Sequence, residues 1–295
     1  MIAVKLMGGL GNQMFQYAAA RALALEKKTW VYLDPSFLLT DSKGKWTQRE
    51  YELGAFNIQY KFERSGRIRF LRSLNTNRYA RRLSDSKIWF FPYRNFYESG
   101  MEFHPELFDF PKNTYLHGYF QSEKYFLKHE AVIRKDFSFL ELPKGQNIEV
   151  LDRIKNSNSI SVHVRRGDYV TLAAASEFHA LMGLDYYSAG ASHILENGNA
   201  PASFFVFSDD PQWVKENLKL PGETTYVDWN SGANSFEDMR LMSNCKHHIV
   251  ANSSFSWWGA WLNPNQDKIV VAPKIWFNQP GVNTNDIIPA SWIRM

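Results

Sequence analysis

Ser159-Ile160-Ser161-Val162-His163-Val164-Arg165-Arg166-Gly167-Asp168-Tyr169 begins as a short apolar, β-branched run and ends in a turn at Gly167. That is the pattern of a buried strand running out into a loop. Side chains alternate faces along a strand, so His163 and Arg165 point one way while Val162 and Val164 pack behind them. Arg166 sits at or past the strand end. Two guanidiniums there suit a doubly charged anion, because a planar fork pairs bidentately with phosphate oxygens. The same pair can instead neutralise nearby carboxylates on a solvated edge. Both readings stay open.

Working outward, the second half of the chain alternates regularly. The strand at 160–165 is followed by a helix near Asp185–Glu196 and a strand Ser203–Ser208. A helix opens at Asp210-Pro211, where proline at the first helical position fits well. Next come a strand Thr224–Asp228, a helix about Ser235–Asn244, a strand His247–Ala251, a helix about Ser254–Leu262 and a strand Lys268–Ala272. Such alternation implies a parallel, doubly wound sheet, whose ligands bind beyond the carboxyl ends of the strands. Arg165, Ser208, Asp209, Asp228 and Asn252 to Ser254 all fall at such ends. Asn252-Ser253-Ser254-Phe255 joins a strand to a helix start, which can cradle a phosphate or be routine serine capping. Glu237 and Asp238 can meet the N1–H and amino group of a guanine, pair with Arg240, or favour the helix amino end.

The first half opens with a βαβ unit: a strand at 2–7, Gly8-Gly9-Leu10-Gly11-Asn12-Gln13, a helix from Met14 to Lys28 and a strand Trp30–Asp34. A glycine turn before a helix brings backbone N–H groups near a phosphate, or simply supplies a tight turn. The third glycine of a dinucleotide fingerprint is missing, with Met14 in its place. A strand is expected at Tyr115–Phe120, then a helix from Ser122 to about Arg134. The pattern breaks around 140–155, dividing the chain into domains 1–150 and 151–295.

A chain of 295 residues with 44% hydrophobic and 16% aromatic content supports two packed cores. Ten tryptophans suit sugar-stacking surfaces or, more commonly, large cores. One cysteine, Cys245, excludes an internal disulfide and fits a reducing compartment. The amino terminus goes directly into a strand without a signal peptide's features, and no stretch approaches a membrane span; the expectation is cytoplasmic. Lys61 to Arg94 holds ten basic residues against two acidic ones, a net +8 that leaves −4 for the rest of a +4 chain. Interleaved with Ile68, Phe70, Leu71 and Tyr79, this insertion (61–94) can lie on an anionic membrane or form a solvated basic face. No nucleic-acid motif accompanies it, so nucleic acid is not an expected partner.

Several chemistries are absent from the sequence: Walker A, His-Glu-x-x-His, Gly-x-Ser-x-Gly and any Asp-x-Asp pair. Pyrophosphate charge would then fall to arginines and helix ends. Two parallel-sheet domains facing across a basic cleft suggest a nucleotide-sugar glycosyltransferase of the GT-B type.

The chain also resembles a family over nearly its whole length. Gly8-Gly9-Leu10-Gly11-Asn12-Gln13-Met14-Phe15-Gln16-Tyr17-Ala18 is similar to the amino-terminal signature of bacterial α-1,2-fucosyltransferases, and His163 to Tyr169 to their arginine motif. Phe207-Ser208-Asp209-Asp210 and Asn252-Ser253-Ser254-Phe255-Ser256-Trp257-Trp258-Gly259 match two further motifs in family order. The resemblance implies a GT-B fold of two Rossmann-like domains, GDP-fucose as donor, inversion, no metal and a terminal galactoside acceptor, on an oligosaccharide or a lipid-linked glycan. Core α-1,6- and protein O-fucosyltransferases are more distantly similar. Carried over, His163 and Asp238 would hold guanine, Arg165 and Arg166 the diphosphate, and Asn252, Ser253, Ser254 and Phe255 its far side. Gly11 would join the GDP-fucose contacts, and Asn12, a catalytic candidate, would face the cleft from the acceptor domain. Asp168 is the nearest candidate base, with Glu177 and His179 following; the sequence does not choose among them.

Overall fold

A computed structural model describes residues 1–41, 47–61, 66–76, 93–167, 180–197, 201–279 and 281–295. The chain divides into two units, Met1–Leu140 with Asn285–Ile287, and Glu141–Thr284 with Ile288–Met295.

The first unit carries a four-stranded parallel sheet in the order β2-β1-β4-β3, built from β1 (Ile2–Lys5), β2 (Val31–Asp34), β3 (Arg94–Tyr97) and β4 (Thr114–His117). Helix α1 (Leu10–Glu26) follows β1 and starts earlier than its alanine-rich run suggests. Gly8 adopts φ +74°, and Gly9 then caps the helix in extended conformation, so the chain turns at once. Gly11, Asn12 and Gln13 therefore lie in the first helical turn rather than in a loop. The single helix expected after Ser122 is broken into two short 3-10 turns, Glu123–Tyr125 and Leu127–His129, and then α3 (Glu130–Asp136). Within the basic insertion, α2 spans Arg67–Thr76, with Phe70 exposed and Arg72 3.8 Å from Asp34. Residues 62–65 and 77–92 of that insertion lie outside the described residues. Among the described residues no helix is long and apolar enough to cross a membrane.

The segment read as a break at 140–155 holds α4 (Gln146–Lys155), which opens the second unit. Its sheet is all parallel, in the order β10-β9-β8-β5-β6-β7. The strands are β5 (Asn158–Val164), β6 (Ala202–Ser208), β7 (Glu223–Val227), β8 (His247–Ile249), β9 (Val270–Ala272) and β10 (Ile293–Arg294). The intervening helices are α5 (Leu184–Glu196), α6 (Pro211–Asn217), α7 (Phe236–Asn244) and α8 (Ser254–Leu262).

Alternation along β5 and β6 feeds two cores. Ile160, Val162, Val164, Phe204 and Val206 pack on Tyr187, Ala191, Ile194 and Val214 from α5 and α6. Phe205 and Phe207 face the other way, onto Val150 and Ile154 of α4 and Leu241 and Met242 of α7. Each such buried side chain contributes about 1.5–3 kcal/mol. Five tryptophans of this unit, Trp257, Trp258, Trp261, Trp276 and Trp292, are buried, so they serve packing rather than sugar stacking.

Candidate active site

The chain enters the second sheet at its middle, on β5. It winds out through β6 and β7, then crosses back to β8 on the other side of β5. This order opens a crevice beyond the carboxyl ends of β5 and β8, where loops leave in opposite directions. The segments that meet at its rim are Arg165-Arg166-Gly167 after β5, Asp209-Asp210 after β6 and Asn252-Ser253-Ser254 after β8. Register explains why. Val164 pairs with Ser208, so Arg165 and Asp209 are the next residues on neighbouring strands.

Asp209 is a clamp. One oxygen lies 3.0 Å from Nη1 of Arg165, and the other accepts from the Arg166 backbone N–H at 2.8 Å. Gly167 is required beside it, since a Cβ there would stand 2.8 Å from Oδ2 of Asp209. The Arg166 guanidinium carbon lies 3.8 Å from the ring centre of Trp213 on α6. Its Nε–H makes no hydrogen bond, and the Asp210 carboxylate stands 3.5 Å away. Asp210 itself caps α6, accepting from the Trp213 N–H. Ion pairing and anion binding, left open by the sequence, are thus not exclusive here. The carboxylates stand against the arginines, and both arginine side chains remain about a fifth exposed.

His163 points from β5 onto α8. Its Nδ1 is 2.9 Å from the Ser256 hydroxyl, and its ring lies 5.9 Å from that of Phe255. Ser256 donates onward to the Ser253 carbonyl at 3.4 Å, which assigns the imidazole proton to Nδ1 and leaves Nε2 an acceptor. Burial, with the charge of Arg165, pushes its pKa down to about 3, so His163 is neutral. Ser253 is the N-cap of α8, its hydroxyl accepting from the Phe255 N–H at 3.4 Å, and Ser254 opens the helix. Asn252 is different. It is 2% exposed, and its amide donates to the carbonyls of Ala180 and Trp276. Those two bonds brace the loops that carry Ala180 and Trp276.

Asp238 sits in the first turn of α7 and accepts from Asn230 at 2.8 Å. Its neighbour Glu237, not Asp238, takes Arg240, at 2.7 Å and buried. Burial, and then the charge of Glu237, raise the Asp238 carboxyl to about 7. Gly11 and Asn12 belong to the first unit, where Asn12 accepts from Gln121 at 2.7 Å. Asp168, Glu177 and His179, the candidate bases, lie outside the described residues. Among the described residues no group of three or more His, Cys, Asp or Glu side chains is placed to hold a metal ion. Sequence reasoning missed Asp209 as clamp, Trp213, Ser256 and Asn230. For Asp209 a signal existed, since it and Arg165 each follow directly on a predicted strand.

The second sheet thus has the Rossmann strand order, with two arginines and a serine-capped helix at its switch point. Residues 68–295 match the profile of glycosyl transferase family 11, and the chain belongs to that family. It is 38% identical to the Escherichia coli O-antigen biosynthesis glycosyltransferase WbnK, covering 98% of this chain and 99% of that one. It is 32% identical to an Escherichia coli alpha-1,2-colitosyltransferase, covering 100% and 98%. A Caenorhabditis elegans galactoside 2-alpha-L-fucosyltransferase is 27% identical over 56% of this chain and 48% of its own. Among solved structures, an Arabidopsis thaliana FUT1 mutant in complex with GDP aligns with a TM-score of 0.51 at 12% identity, covering 91% of this chain and 69% of that one. The fold is α/β with two parallel-strand sheets, of the GT-B-like kind. The protein is a glycosyltransferase related to α-1,2-fucosyl- and colitosyltransferases.

Proposed function

We propose that the protein transfers L-fucose from GDP-fucose to the 2-hydroxyl of a terminal galactoside, forming Fuc-α-1,2-Gal with inversion and without a divalent metal. The observation that carries this reading is the meeting of Arg165, Arg166 and the serine-capped start of α8 at the switch point of a family 11 chain. Arg165 and Arg166 would take the diphosphate, with the Ser253 and Ser254 hydroxyls at the start of α8 on its far side. Neutral His163, through Nε2, and Asp238 would hold guanine, Gly11 would join the GDP-fucose contacts, and Asn12 would act from the acceptor side.

In the reaction the galactose O2 attacks the anomeric carbon as its bond to the β-phosphate oxygen breaks. The bonding electrons pass to that oxygen, where the guanidiniums stabilise the growing charge. The hydroxyl proton leaves to a base among Asp168, Glu177 and His179 or to solvent.

One observation favours a second donor. A relative 32% identical over the whole chain is a colitosyltransferase, and colitose is fucose without its 3-hydroxyl. The test is incubation with GDP-fucose or GDP-colitose, a panel of galactoside acceptors and EDTA, with linkage assigned by NMR. An α-1,2-fucosylated product formed in EDTA is expected. Transfer of colitose alone, another linkage, or loss of activity on chelation would each sink the corresponding part of the reading.

A further inference from the structure

Among the described residues, the Asp238 carboxylate proposed above for guanine is held by an amide and not by a cation. Asn230, in the loop after β7, donates through Nδ2 to Oδ1 of Asp238 at 2.8 Å and to Oδ1 of Asn147 at 3.0 Å. Asn147, at the start of α4 and 6% exposed, returns a bond from its own Nδ2 to Oδ1 of Asn230 at 2.9 Å. Trp229 then donates its indole N–H to Oδ1 of Asn147, also at 2.9 Å. The two amides are locked reciprocally, which fixes which end of each carries the donors. Three elements, α4, the β7–α7 loop and α7, thus converge on one carboxylate oxygen.

The choice of group matters. A guanidinium in place of Asn230 would discharge the carboxylate, as Arg240 does for Glu237 one residue earlier. A neutral amide fixes the plane of the carboxylate without cancelling the charge of its ionised form, and leaves most of its lone pairs for a ligand. That is the requirement for bidentate pairing with adjacent N–H donors such as N1–H and the 2-amino group of guanine.

We propose that the Asn147–Asn230 amide pair is a positioning device that orients Asp238 for base recognition and thereby sets the preference for a purine carrying a 2-amino group. The inference rests on the assignment of Asp238 to guanine made above. A pair that merely ties the loop to α4 would alter stability and leave base preference untouched.

The test is calorimetric titration of the full chain with GDP and with IDP, which lacks only the 2-amino group. The wild type is expected to prefer GDP by about tenfold, the worth of one hydrogen bond to a charged group. Asp238→Asn should bring that ratio near unity, and Asn230→Ala should lower it at least about threefold. The double variant should show no further loss, since both act on one contact. Asn147→Ala, which unanchors Asn230 without removing it, is read in the same way should Asn230→Ala be recovered unfolded. If Asp238→Asn loses the preference while both asparagine variants keep it, the positioning role is overturned and the Asp238 assignment stands. If Asp238→Asn keeps the preference, both fall.

Discussion

Each sheet of this protein begins with a strand that runs into a glycine-containing turn, yet the two turns spend their polar groups differently. In the first unit the groups are consumed locally. Met7 exchanges both backbone bonds with Gln16, at 2.9 and 3.2 Å. Gln13 bonds the carbonyls of Gly8 and Glu50 and accepts from the Glu52 N–H. Both glutamines are 0% exposed. In the second unit the turn after β5 carries two guanidiniums placed against carboxylates but still partly exposed, and the neighbouring strand β8 leads to a helix start with two half-buried serines. The same topological position can be stitched shut or left able to receive charge. Side-chain chemistry, not the glycine, decides which.

The sharpest way to break this comparison is Arg166→Ala. If the second turn receives the diphosphate, loss of one charge-stabilising donor should lower kcat about 10²- to 10³-fold. The thermal midpoint should move little, because the Arg166 head is only partly buried and its Nε–H makes no hydrogen bond. Near-normal turnover in a steady-state assay would remove the turn from the catalytic reading. The first turn should respond in the opposite sense. Gly8→Ala forces a Cβ to 2.4 Å from Nδ2 of Asn12 at φ +74°, so it should cost about 1–3 kcal/mol of stability. Denaturant unfolding checks this, and a midpoint unchanged from wild type would mean the stitching is slack.

Much of this contrast was legible beforehand, for identifiable reasons. The strands of the second unit were readable because buried parallel strands are short β-branched or aromatic runs between helix signals. α8 was read to the residue, because Ser253 and Ser254 mark its start unambiguously. Helix α4 was missed, since Pro143 and Gly145 dominate a local reading while its helicity depends on Val150 and Ile154 packing on the sheet. At the site, residue types were readable and partnerships were not. Arg165 and Asp209 are 44 positions apart in sequence, and only the β5–β6 register makes them neighbours.

Proton concentration sharpens the comparison further, because one candidate ligand group of the second unit titrates near neutrality. Asp238, raised to about 7 by burial and Glu237, binds a proton in the folded protein that it would release when unfolded. Its contribution to stability is therefore full in acid and lost as pH rises through about 7. Nucleotide binding runs the other way, since donors on the base require the ionised carboxylate. GDP affinity should fall below pH 7, by at most about tenfold per unit. His163, at about 3, stays neutral in the folded protein and adds no slope to GDP affinity between pH 5 and 8. The wild-type profile minus that of Asp238→Asn isolates this carboxylate from the phosphate of GDP itself; parallel profiles would contradict it.

The smallest expected effect tests what holds the second turn open. Trp213 gives Arg166 a surface to lie on, 3.8 Å from guanidinium carbon to ring centre, and does so without supplying counter-charge. Asp210, by contrast, offers charge at 3.5 Å without a hydrogen bond. A cation–π contact at a partly exposed site contributes roughly 0.5–1 kcal/mol. Trp213→Leu keeps apolar bulk on α6 and removes only the quadrupole, so kcat/KM should fall about two- to fivefold, an amount matching that energy. If Arg166 meets the diphosphate as proposed, the fall should appear in GDP release and inhibition as well, because the ring orients that group. A loss comparable to that of Arg166→Ala would instead mean that the indole, and not the carboxylate clamp, is what fixes the arginine.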